Sequence, residues 1–152
     1  MTSATEAKTI DLYGMGVQNE GVALDAITPG HLIERGASGV QAHSTAGGPA
    51  TPAFAVEYDL TGRGIADAYA IGDQVIYRTM APGSAVNALV ADGTAAIAAN
   101  ALLASDGDGT LRTAAVDEIA VAQALEAVDN SAGGAPVRIK VEIIPAQRTA
   151  PV

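Results

Sequence analysis

From residue 24 onward, short runs rich in β-branched and apolar residues alternate with clusters of Gly, Pro, Asp and Ser, the pattern of strands separated by turns. The clearest runs are 31–35, 53–58, 74–79, 120–128 and 137–144. In the last, Val137, Ile139, Val141 and Ile143 alternate with Arg138, Lys140 and Glu142, so one face is apolar and the other charged. A half-buried strand is expected there. Two Ala-rich stretches, 95–104 and 114–127, leave short helices open on propensity. Asn100 interrupts the first, and Asp106-Gly107-Asp108-Gly109 just beyond it is a turn signature of the kind that joins two strands. Residues 1–20 keep neither period and contain Gly14 and Gly16, which reads as an N-terminal arm. The expected organisation is an arm over 1–20, one β-barrel or β-sandwich domain over 21–145, and a tail over 146–152.

An internal near-repeat gives the domain its plan. Ala26-Ile27, Leu32-Ile33, a turn ending at Gly39 and Val40–His43 correspond to Ala96-Ile97, Leu102-Leu103, a turn ending at Gly109 and Thr110–Thr113, about seventy residues further on. Each copy continues into a short apolar strand that carries one carboxylate, Glu57 in the first and Glu126 in the second, and ends on a longer strand. The expected fold class is all-β with at most minor α content, built from two pseudo-repeated units. Two such units can curl about a pseudo-two-fold axis into one barrel or sandwich, which removes exposed sheet edges.

Composition narrows the function classes. The hydrophobic fraction is 49%, but only one Phe and four Tyr supply large aromatic area, so Val, Ile and Leu must fill the core. Seventeen acidic against eight basic side chains give a formal charge of −9, with no Lys/Arg cluster, which argues against nucleic acid as a partner. There is no cysteine, hence no disulfide or thiolate chemistry. No apolar run approaches the ~18 residues of a membrane span, so a soluble, cytoplasmically made protein is expected.

The motifs that could carry chemistry are weak. Asp106–Asp117 starts like a calcium loop but has Leu111 where the sharp turn needs Gly. Gly14-Met15-Gly16 lacks the third Gly and the strand–helix context of a dinucleotide fingerprint. His31 and His43 stand alone in presumed strands and read as surface or interface residues; Ser38 and Ser44 near His43 do not make a triad. Glu57 and Glu126 are the pair to weigh for a hydrolase, against the plainer reading that each meets an Arg or Lys across a strand. No catalytic, cofactor or metal residue is assigned.

The segments ITPGHLIERGASGVQAHSTAGG, PAFAVEYDLTGRGIADAYAIGDQVIYRTMAPGSAVNALVADG, LLASDGDGTL and AVAQALEAVDN resemble a family of small proteins encoded near the major capsid gene of tailed bacteriophages, the capsid decoration or cement proteins. The resemblance covers about residues 22–144 and rests on overall pattern. It implies a non-enzymatic virion protein on the outer surface of the head that binds and bridges major capsid protein subunits, usually as a homotrimer and in some cases as a dimer. A phage tail or receptor-binding component is the alternative within β-rich virion proteins. Contact residues are not fixed by the family pattern. Ile10, Leu12 and Tyr13 are the arm residues expected to anchor on a neighbour, and removal of residues 1–20 is expected to leave the fold intact.

Overall fold

The two copies of the near-repeat fold alike, strand for strand. A computed structural model describes residues 7–150. Eleven strands run in the order β1 (Asp11–Tyr13), β2 (Gly16–Val22), β3 (Ile33–Arg35), β4 (Val40–Ala42), β5 (Ala53–Ala55), β6 (Gln74–Met80), β7 (Ala85–Val90), β8 (Leu102–Ser105), β9 (Leu111–Thr113), β10 (Ile119–Ala124) and β11 (Val137–Arg148). Among the described residues the helical content is one 3-10 turn, Asp59–Thr61. The fold is therefore all-β and sandwich-like, as the alternation of the sequence predicts.

In the second repeat the strands follow the order β7-β11-β10-β8-β9, and a parallel pairing of Val90 with Leu111 joins β9 back to β7. The first repeat has the same order, β2-β6-β5-β3-β4. There Leu32 bridges Phe54 to link β3 with β5, and Ala23 bridges Val40 in parallel to close the ring. The backbone bonds match pairwise. Leu24 N donates to Val40 O at 2.8 Å and Ala91 N to Leu111 O at 2.9 Å; His43 N donates to Leu32 O at 2.9 Å and Ala114 N to Leu102 O at 2.8 Å. Ile27 exchanges bonds with Tyr69 as Ile97 does with Val128, and Val56 N reaches Ile76 O as Leu125 N reaches Lys140 O. Each repeat thus closes on itself, giving two rings instead of one sheet wrapped around both.

The ring interiors are narrow, which explains the Ala-rich composition: small residues must alternate with branched ones for strands to meet across the axis. The first interior holds Ala23, Ile27, Ile33, Val40, Ala53, Ala55, Tyr69, Val75 and Tyr77. The corresponding positions of the second include Val90, Ile97, Leu103, Leu111, Ala122, Ala124, Ile139 and Val141, and this core continues into the first repeat through Ile10, Leu32, Phe54, Val56, Ile76 and Met80. Burial of Phe54, at 0% exposure, is worth about 1.5–3 kcal/mol. Arg138 adds a polar tie between the repeats, donating to Pro29 O at 2.9 Å and to Ile65 O.

Several expectations are corrected. From Ile10 onward the N-terminal segment is not an arm: β1 pairs with β7, all seven residues of β2 pair with β6, and Ile10 is fully buried in its own chain. Strand β11 extends to Arg148, opposite Ile119, so the tail begins later than residue 146. Neither Ala-rich stretch is helical. Asn100 takes a left-handed φ of 68°, which a helix cannot continue through, and Ala120, Ala122 and Ala124 are buried at alternate positions of strand β10. A strand was not evident at Ala85–Val90, because all six residues are buried and the period of 2 is lost.

Candidate functional site

The N-terminal segment is fastened at several points and then turned outward. Ile10 N donates to Glu57 Oε2 at 3.0 Å, and Asn87 Nδ2 donates to Thr9 O at 2.7 Å. Arg78 pairs with Asp11 and donates from Nη2 to Gly16 O at 3.0 Å. Ser84 grips Met15 from the loop joining the repeats: its Oγ accepts from Met15 N at 2.9 Å and donates to Met15 O at 3.1 Å. That contact requires glycine at 14, where φ is +104° and a Cβ would stand 2.2 Å from Ser84 Oγ.

Between these anchors, large apolar side chains face solvent. Tyr13 is 55% exposed, Met15 78% and Val17 66%. Of the three residues expected to contact a neighbour, Tyr13 is available, Leu12 is half-buried, and Ile10 is spent on the core. Met15 and Val17 are the surface residues that the sequence reading missed; the apolar spacing 13, 15, 17 was the signal, masked by the flanking glycines.

A groove of about 450 Å³ lies beside this segment, between Thr9–Asp11 and Tyr58–Leu60, floored by the outer face of β2 and β6. Asp11, Glu20, Glu57 and Asp59 line it against one cation, Arg78, so it is net acidic. Asp11 neutralises that cation directly.

The remaining candidates are placed elsewhere. His43 is buried, not at the surface. Its Nε2 lies 3.0 Å from Pro49 O, which can only accept, so Nε2 carries the proton and Nδ1 accepts from Ser105 Oγ at 2.7 Å. Ser105 is 1% exposed, and the pair ties β4 of one ring to β8 of the other. His31 Nδ1 accepts from Thr28 N at 3.0 Å, and burial holds its pKa below the ordinary value. Glu57 and Glu126 keep equivalent positions but are not brought together: Glu126, exposed, accepts from Lys140 N at 2.9 Å and does not line the groove that Glu57 does. Residues 106–110 form the hairpin turn between β8 and β9. There Asp108 Oδ1 accepts from Thr110 N at 3.0 Å, and Asp106 meets Arg112 at 2.8 Å. Among the described residues no cluster of His and carboxylate side chains is spaced to hold a metal ion.

No model of a known protein family matches this chain, and no curated protein is similar to it.

Proposed function

We propose that this chain is a structural virion protein that binds the outer surface of a tailed-phage head and bridges subunits of the major capsid protein. The observation that carries the reading is the exposed apolar segment Tyr13–Val17, held to a rigid two-ring body on a protein of net charge −9. Because hydrogen bonds hold the backbone of this segment, it loses little main-chain freedom when a partner covers it, which favours its use as a contact. The resemblance of residues 22–144 to capsid decoration proteins supplies the partner. A body that touches several subunits at once converts modest individual contacts into tight attachment, because the assembled shell holds the copies at high effective concentration. Self-association as a homotrimer fits a position where three capsid subunits meet.

The test is co-sedimentation with purified heads that lack the protein. Met15→Ser combined with Val17→Thr is expected to leave the unfolding transition in place and to lower occupancy on heads about tenfold or more. Unchanged occupancy would overturn the reading.

A further inference from the structure

The repeats treat one strand edge differently. β2 and β7 are equivalent, since Ala23 and Val90 make the same ring-closing bridge, to Val40 and Leu111. On β7, the N–H groups that point away from β11 belong to Asn87, Leu89 and Ala91, and all three are used: they donate to Ile10 O at 2.8 Å, Gly30 O at 3.0 Å and Leu111 O at 2.9 Å. The first acceptor is the residue that leads into β1, so an extended segment covers this edge. The equivalent groups on β2 are the N–H groups of Glu20, Val22 and Leu24. Leu24 donates to Val40 O, whereas Glu20 and Val22 have no partner among the described residues.

The direction of these groups follows from the ladder. Ala81 N donates to Met15 O and Ala23 N to Asp73 O, so odd-numbered residues of β2 face β6. In an antiparallel pair the alternate residues then face outward, which gives Gln18 and Glu20 an open edge that ends at Val22, whose carbonyl already lies against Gly39 beside the ring-closing bridge of Ala23 with Val40. The side chains of Gln18 and Glu20 lie in the acidic groove with Glu57 and Asp59.

We infer that the β2 edge is an acceptor for an extended segment of a partner protein, which adds as a short strand beside Gln18–Glu20, up to the N–H of Val22, and places a Lys or Arg side chain in the acidic groove. The duplicated unit shows the occupant's conformation, because its own edge is already covered by an extended segment. Charge selects the occupant's chemistry: Glu20, Glu57 and Asp59 stand there with no free cation, Arg78 being paired with Asp11. A second copy pairing β2 with β2 would bring two such grooves together on molecules of charge −9 each, so a basic partner is favoured. This inference goes beyond the head-binding reading and does not depend on it.

The experiment is amide hydrogen exchange of the full chain, read by NMR, with a probe peptide of about nine alternating Thr and Val residues bearing one central Lys, and with its Glu twin. With the Lys peptide, exchange at Glu20 and Val22 is expected to slow about tenfold, and the Glu twin is expected to bind at least about tenfold more weakly. Glu20→Pro removes the outward N–H together with the carboxylate, so it should abolish the slowing at Val22 while Asn19 and Gly21 stay protected. Glu20→Gln, which keeps the N–H, should weaken binding of the Lys peptide selectively. The inference is overturned if Glu20 and Val22 exchange slowly in the free protein, if their protection rises with protein concentration instead of with peptide, if neither peptide slows them, or if both peptides bind equally.

Discussion

Gly30 and Asn100 occupy the same place in the two repeats: each has a positive φ, 99° and 68°, and each donates its N–H at 2.8 Å to the alanine of the equivalent strand, Ala55 or Ala124. The two positions differ in surroundings. A Cβ at Gly30 would lie 3.1 Å from Asn87 O and 3.3 Å from Leu89 Cγ, in the junction between the rings. Asn100 is exposed. Gly30→Ala is therefore expected to cost about 1–3 kcal/mol, whereas Asn100→Gly should stay within about 0.5–1 kcal/mol of the parent, in urea unfolding.

The N-terminal segment is part of the fold, so truncation should be costly. Removing residues 1–20 deletes β1, the buried Ile10 and most of β2, and is expected to abolish cooperative unfolding in a thermal melt. Ile10→Ala alone should cost about 2–4 kcal/mol, since its cavity would open in the core that both repeats share.

His43 and Ser105 should be energetically coupled. His43→Leu leaves the buried Ser105 hydroxyl without its acceptor and is expected to cost about 1–3 kcal/mol. A double-mutant cycle with Ser105→Ala, measured by urea unfolding, should return a coupling of about 1–2 kcal/mol; additive effects would mean that the two residues act separately.

Acidification should destabilise the protein in two windows. Burial lowers the folded pKa of His31 below its ordinary 6.5, so the unfolded chain takes up the proton first. Stability from this group is complete above about pH 6.5 and falls as pH drops through the folded pKa. Asp108 and Asp25 oppose the shift and Arg138 adds to it. The hydrogen bonds from Arg112, at 2.7 and 2.6 Å, hold Glu118 below its ordinary 4.5, so a second loss begins as pH falls below that value. His31→Asn, whose side-chain oxygen can still accept from Thr28 N, should flatten the first window and leave the second, in urea midpoints taken across about pH 2–8.

The near-repeat was legible because short-range features carry it: Ala26-Ile27 and Ala96-Ile97, paired hairpins, and the alternation of 137–143. What the sequence concealed depends on contacts between distant positions. Ile10 meets Glu57 across 47 residues and His43 meets Ser105 across 62, so neither the docking of the N-terminal segment nor the burial of the histidine leaves a local trace. Strand β2 escaped notice because its polar residues and two glycines give it no apolar period; it is a strand because β6 offers it a ladder. Of the expected contact residues Ile10, Leu12 and Tyr13, only Tyr13 is exposed; Met15 and Val17 share its apolar spacing, but the flanking glycines masked that signal, and Gly14 and Ser84 fix the turn that exposes them.

Attachment to phage heads through Tyr13–Val17 is tested most directly by cryo-electron microscopy of heads with the protein bound and with it stripped away. The expected result is density for the two-ring body on the outer surface, absent from stripped heads, with Tyr13, Met15 and Val17 turned against the capsid shell. Heads that bind no density, or density in which that segment faces solvent, would contradict it.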